Sequence, residues 1–159
     1  MATEVKTNVM RLIEQAKIKY NHYCYTHANT TVGTEIAEIL GQDPNRVFKT
    51  LVTVGKSGQN YVFVIPVNRE LDLKKAAVCA GEKSIEMTKS KDLLKLTGYI
   101  HGGCSPIGMK KFFPTALHET AKDYETILFS AGKIGYQVEM SPDDLSKMID
   151  FKFANLTCE

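Results

Sequence analysis

No two cysteines in this 159-residue chain are close enough to form a CxxC pair: Cys24, Cys79, Cys104 and Cys158 are scattered along its length. The four histidines, His22, His27, His101 and His118, supply neither HExxH nor a Cys/His grouping at zinc spacing, so no structural metal site is expected. Separated thiols suit a reducing compartment, where Cys24 and Cys79 are expected to be small buried hydrophobes. Long apolar runs are lacking as well. Apolar stretches such as Tyr61–Val67 fall far short of the roughly 20 residues that a spanning helix needs. The start, Met1–Thr7, has no apolar signal region, so the expected location is the cytoplasm and no membrane association is expected. Neither GxGxxG nor GxxxxGK followed by Ser or Thr occurs, which removes support for Rossmann or P-loop nucleotide binding. Charge of one sign is scarce: 20 Lys+Arg against 18 Asp+Glu leave +2. That balance does not suit a protein that coats DNA, but a local lysine patch offset by acids elsewhere leaves nucleic acid open as a partner.

The remaining composition, 43% hydrophobic and 24% charged, is that of an ordinary soluble domain. The length fits one domain, 1–159, able to bury a core without a staple. Val9, Leu12, Ile13 and Ala16 recur at helical spacing behind a Thr7 cap. A strand is expected at Lys19–Thr26, then a helix at Glu35–Leu40 stopped by Gly41, then a helical turn opened by Asp43-Pro44. Val47–Val54 and Tyr61–Val67 form the clearest strand pair, joined by a short Gly/Ser/Asn turn. Asp72 caps a helix through Ala80 that Gly81 ends. Ile85–Met87 reads as a short strand and Ser90–Leu96 as a helix closed by Gly98. Further strands are expected at Phe112–Leu117, Thr126–Ser130 and Tyr136–Met140, before a last helix begun by Ser141-Pro142-Asp143-Asp144, with Asp144 at the capping-box position. Strands adjacent in sequence, without regular βαβ alternation, give an α+β class with a mixed sheet.

Three features could carry chemistry. Lys49 sits in Val47–Val54, a run otherwise suited to burial, on the same strand face as Val47 and Leu51. A lysine there needs an anionic or polar partner unless its ammonium snorkels to water. Thr50 lies on the opposite face, so its contribution would come through its backbone amide. His101-Gly102-Gly103-Cys104-Ser105-Pro106-Ile107-Gly108 is a loop whose glycine amides can approach a carbonyl or phosphate, although a plain turn has the same composition. Cys104 invites a nucleophile reading with His101 or His118 as base, but no orienting third group can be named. Ser130-Ala131-Gly132-Lys133 is either a hairpin loop or the mouth of a pocket. Lys74, Lys75, Lys110, Lys111 and Lys133 are candidate phosphate contacts, though exposed lysines are usually just solvated.

Val47-Phe48-Lys49-Thr50-Leu51, Leu71-Asp72-Leu73-Lys74-Lys75, the segment Gly98–Gly108, Ser130-Ala131-Gly132-Lys133 and Asp150-Phe151-Lys152-Phe153-Ala154 together resemble the YbaK/EbsC family. That family is similar to the editing insertion domain of bacterial prolyl-tRNA synthetases. The resemblance implies a curved, barrel-like sheet flanked by helices. It also implies a trans-editing enzyme that removes cysteine misattached to proline tRNA, a check that is useful because cysteine and proline are close in size. In the family the substrate's own thiol is thought to attack its ester, leaving as a thiolactone, and no cofactor is implied. Carried onto this chain, Lys49 matches the essential lysine, Thr50 follows it in the same motif, Tyr25 falls at a pocket tyrosine, Gly102 and Gly103 match the glycine loop, and Ser130 a pocket serine. Gln137 stands where close relatives carry an aspartate; it can still hydrogen-bond substrate, but it cannot be a base or counter-charge. The resemblance gives Cys104 no catalytic role. Implied partners are the acceptor end of aminoacylated tRNA and prolyl-tRNA synthetase. Two alternatives stay open: a non-catalytic module that binds aminoacyl-tRNA or synthetase, and a sibling enzyme that edits alanine.

Overall fold

A computed structural model describes residues 5–158, so the start of the Met1–Thr7 stretch lies outside the described residues. The first helix, α1 (Asn8–Gln15), begins where Thr7 accepts the Met10 amide, and it buries Val9, Met10 and Ile13. Strand β1 (Asn21–Cys24) is shorter than the expected Lys19–Thr26. Helix α2 (Gly33–Ile39) follows, and then one turn at Pro44–Arg46 capped by the Asp43 carboxylate. The hairpin β2 (Phe48–Gly55) and β3 (Asn60–Pro66) forms where the two apolar runs lie. Helix α3 (Leu73–Ala80) starts at the Asp72 cap and stops at Gly81, whose φ of 71° suits a residue without Cβ. Strand β4 (Ile85–Met87) and helix α4 (Ser90–Thr97) precede the glycine loop.

Beyond that loop lie β5 (Thr115–His118), β6 (Ile127–Ser130), β7 (Tyr136–Met140), α5 (Pro142–Ser146) and β8 (Lys152–Ala154). Strand β5 begins three residues later than the expected Phe112, after Pro114, which has no amide to donate. Strand β8 was not foreseen as a strand; two of its three residues are exposed, so it has no alternating apolar pattern. At α5, Ser141 caps the Asp144 amide as expected, but the Asp144 carboxylate pairs with Lys147 rather than reaching back to close a capping box.

The strands form two sheets. Five strands run in the order β4-β2-β3-β5-β8 and three in the order β1-β7-β6. Pairing is antiparallel through β4, β2 and β3, parallel through β3, β5 and β8, and antiparallel throughout the smaller sheet. A parallel bridge between Val47 and Leu128 ties the two sheets together just before β2. Alternation along β3 sends Val62 and Val64 into the main core, with Val9, Ile13, Phe48, Phe129 and Val138. It sends Phe63 and Ile65 into a second core beneath α3. A strand buried on both faces reads as a continuous apolar run, which is why Tyr61–Val67 has that character. A third small cluster of Ala37, Val47, Val67 and Leu128 seats α2 over the junction of the sheets. The cysteines depart from the expectation: Cys24 is exposed and Cys79 only half-buried. Cys24 lies on β1, at the margin of the smaller sheet, where its thiol meets the Thr26 hydroxyl instead of core carbons. Among the described residues no helix is long and apolar enough to cross a membrane.

Candidate functional site

Strand β2 has different neighbours along one edge. Its far end, Thr53–Gly55, pairs with β4, whereas its approach, Val47, bridges to β6. Between these points the two neighbours diverge and leave a cavity of about 190 Å³. Its wall includes every residue from Val47 to Val52, and facing elements add Gly33, Ile36, Thr88, Leu93, Gly102, Ser130 and Gln137. Helix α2 can approach closely because Gly33 has no side chain: a Cβ there would lie 2.5 Å from Val67 Cγ1.

Of the sequence-derived candidates, Lys49, Thr50, Gly102, Ser130 and Gln137 line this cavity, and Tyr25 and Gly103 do not. Lys49 is half-buried, and burial holds its ammonium below the ordinary lysine value, with the Glu70 carboxylate acting in the opposite direction. No hydrogen bond or ion pair reaches that ammonium among the described residues. Ser130 and Gln137 face each other across β6 and β7. The Ser130 hydroxyl accepts the Gly132 amide at 3.1 Å. Gln137 is 5% exposed, and its Oε1 is buried without a partner, as is the Thr50 hydroxyl. Buried polar atoms are nearly always bonded, so two unpartnered ones on residues lining one cavity single that cavity out as the candidate site. Thr50 thus presents a side-chain hydroxyl, and not only the backbone amide that strand alternation suggested. Tyr25 is 1% exposed, with a buried, unpartnered hydroxyl.

Gly102 has φ +88°, and a Cβ on it would come within 2.7 Å of Thr31 Cγ2. The loop can therefore lie against α2's approach only with glycine at this position. The Gly103 amide is taken inside the loop, donating to Ile100 O at 3.0 Å. Cys104 lines the cavity, but burial pushes its thiol up to about 12, despite a Thr97 hydrogen bond acting the other way. A thiol so seldom ionised is a poor nucleophile. His118 cannot serve it as base: its Nδ1 accepts the Leu156 amide at 3.1 Å and its Nε2 meets Thr157 Oγ1 at 3.4 Å. Among the described residues no three His, Cys, Asp or Glu side chains converge to hold a metal ion.

Two features escaped the sequence reading. Thr88 lines the cavity with a hydroxyl that is also buried and unpartnered. Its only signal was its place just after a short strand. Glu139, two residues from Gln137, gathers bonds from Asn21, Tyr23, Arg46 and Thr126. This network clamps β1, β6 and β7 to the Pro44–Arg46 turn that leads into Lys49. A lone acid in an otherwise apolar strand was the available hint.

Comparison with known proteins fits this geometry. Residues 27–148 match the aminoacyl-tRNA editing domain family, and the chain belongs to that family. It is 49% identical over 156 residues, 98% of this chain and 95% of the relative, to an Enterococcus faecalis protein provisionally named Cys-tRNA(Pro)/Cys-tRNA(Cys) deacylase EbsC. An 82-residue stretch, 51% of this chain, is 33% identical to 14% of a proline–tRNA ligase from Thermosipho melanesiensis. Among solved structures, one provisionally described as a trans-editing enzyme for prolyl tRNA synthetase superposes with a TM-score of 0.81 at 23% identity. The match covers 98% of this chain and all of that one. A hypothetical protein of known crystal structure gives 0.85 at 21% identity, over 94% of this chain and 99% of that one. These two likenesses establish the fold, an α+β arrangement shared with both structures.

Proposed function

We propose that this chain, as a single editing domain over 1–159, is a cytoplasmic deacylase that frees tRNA(Pro) from mistakenly attached cysteine. The observation that carries the reading is Lys49: a half-buried ammonium on a cavity wall, without a hydrogen-bonded anion, beside unpartnered Thr50 and Gln137 atoms. Such a cation suits a substrate that brings its own negative charge, as the terminal nucleotide of tRNA does, or that develops it on an ester oxygen.

Cys104, the thiol on the cavity wall, is held neutral and is a poor nucleophile. The substrate's cysteine supplies the nucleophile. Its sulfur attacks the ester carbonyl carbon, a C–S bond forms, and the bond to the ribose oxygen breaks. The thiol proton ends on that oxygen. A four-membered thiolactone leaves, which water opens to cysteine. Lys49 stabilises the oxyanion that develops, the Gly102 amide approaches the same carbonyl, and Ser130 and Gln137 position the aminoacyl group. The partner is the acceptor end of aminoacylated tRNA, with prolyl-tRNA synthetase as a candidate third member.

The test is a deacylation panel with Cys-, Ser-, Ala- and Pro-charged tRNA(Pro). Fast loss of cysteine and slow loss of serine and alanine is expected. Lys49→Ala is expected to lose roughly 100- to 1,000-fold in rate, the usual cost of removing one preorganised charge-stabilising group, while Cys104→Ala keeps most activity. Rapid alanine release would point instead to an alanine-editing sibling with no need for a substrate thiol. Gln137, lacking an acid's charge, favours one rival, a module that binds without catalysis; an intact ester after prolonged incubation would establish it.

A further inference from the structure

The cavity contains a second polar feature that the mechanism above does not use. Strand β4 pairs Met87 with Thr53 and Glu86 with Val54. One residue further on, the Thr88 amide donates to Val52 O at 3.1 Å. Thr88 therefore stands opposite Val52, and its side chain shares that residue's face of the sheet. By strand alternation the same face carries Thr50. Diagonal cross-strand neighbours lie roughly 7 Å apart, a gap that one small hydrogen-bonding group fills. Both Thr50 Oγ1 and Thr88 Oγ1 are shut off from solvent without a partner, and both residues line the cavity. An unpaired buried hydroxyl destabilises the empty protein; two of them, on residues that line one cavity, are explained if a ligand satisfies both.

We infer that Thr88 and Thr50 form a paired-hydroxyl subsite that binds a neutral group of the terminal aminoacyl-adenosine able both to donate and to accept. Two groups of that substrate have this chemistry: the free ribose hydroxyl beside the ester and the unprotonated α-amine. A hydroxyl pair suits either, because each threonine can donate or accept as required. The subsite lies on the strand face opposite to that of Lys49, so it holds the substrate from the other side of β2's open edge. The inference rests on the deacylase reading of the cavity.

Thr88→Val tests it, since valine keeps the shape and removes only the hydroxyl. If the hydroxyl is unpaired in the free protein, Thr88→Val melts at the same temperature as wild type or higher. If it binds substrate, kcat/KM for Cys-tRNA(Pro) falls about fivefold, the equivalent of one neutral hydrogen bond. Thr88→Ser retains near wild-type kcat/KM. Adding Thr50→Val costs less than the separate effects combined, because both hydroxyls share one partner. Repeating the comparison on tRNA ending in 2′-deoxyadenosine identifies the group: a vanished Thr88→Val penalty assigns the ribose hydroxyl, and an undiminished one assigns the α-amine. A Thr88→Val enzyme with unchanged kcat/KM overturns the subsite while the deacylase reading stands. So does a variant whose activity falls only in step with its melting temperature. Wild-type protein that leaves Cys-tRNA(Pro) intact overturns the deacylase reading itself.

Discussion

Glu139→Gln probes how the chain holds its smaller sheet against the lysine-bearing strand. The Glu139 side chain is only 10% exposed. Burial alone would raise its carboxyl's affinity for a proton. Hydrogen bonds from Thr126, Tyr23, Asn21 and Arg46 outweigh that effect and bring the value from the ordinary 4.5 down to about 2. Thr126 Oγ1 bonds Glu139 at 2.5 Å, and Arg46 reaches both Thr126 and the carboxylate. A depression of this size corresponds to about 3 kcal/mol of stability supplied by the charged form. Removing one partner of a buried ion pair costs about 3–5 kcal/mol by mutation, so the two routes agree.

The pH dependence gives the sharper test. The folded carboxyl binds its proton more weakly than the unfolded one, so on acidification the unfolded chain takes up the proton first. The stabilisation is complete above 4.5 and is lost as pH falls from there towards about 2. Glutamine has no such transition. Urea unfolding of wild type and Glu139→Gln between pH 7 and pH 2.5 should show a gap of about 3 kcal/mol near neutrality that closes across that acid range. At 2–4 °C per kcal/mol for a domain of this size, the variant should melt about 6–12 °C lower at pH 7. A gap that stays constant with pH would refute the reasoning, because it would show that the charge contributes nothing. A gap below about 1 kcal/mol would show that the network is worth no more than an exposed pair.

Other perturbations read separate parts of the molecule. With a thiol reagent at pH 8, exposed Cys24 should react fastest, since hydrogen bonding from Thr26 lowers its pKa; buried Cys104, pushed up to about 12, should stay unmodified until the protein unfolds. Rapid labelling of native Cys104 would contradict its burial. Gly102→Ala must place a Cβ at φ +88° and 2.7 Å from Thr31 Cγ2, a strain of about 2 kcal/mol, so melting should fall by about 4–8 °C together with deacylation. Unchanged melting would show that the loop has room to shift. His118 is held below its usual 6.5 by burial, then by Arg69 and Lys75, with Glu119 opposing. Its neutral ring therefore stabilises the fold above 6.5 and ceases to do so as pH falls below that value. Hydrogen exchange of the Leu156 amide, which His118 Nδ1 accepts, should lose protection as pH falls from 6.5, because the ring of the opened chain takes up its proton first; constant protection down to pH 5 would show that folding does not weaken the ring's hold on a proton.

What could be read from the sequence and what could not divide along the range of the interactions involved. The Thr7, Asp72 and Ser141 caps, the Gly81 stop and the β2–β3 hairpin are decided within a few residues, and each formed where the local chemistry placed it. Pairing across long separations left no local mark. The parallel ladder of β5 with β8 is made of backbone bonds, and in β8 the Lys152 and Phe153 side chains remain exposed. Glu139 and Arg46 meet across 93 positions.

The candidate site divides in the same way, and the division bears on how such a site works. Lys49 stood out because a cation in an apolar run conflicts with its own surroundings, and such conflicts mark functional positions. Thr88 produced no conflict, since threonine is at home beside a strand. Its importance comes from β4 parting from β2 while β2 bridges to β6 at its other end. That divergence leaves one edge of Phe48–Leu51 without a neighbouring strand, and near it Thr50 Oγ1 and Thr88 Oγ1 lie buried without a protein partner. A sheet that closed fully at this point would satisfy its backbone and leave no cavity. The open seam is what places Lys49 on the wall of a cavity within the fold.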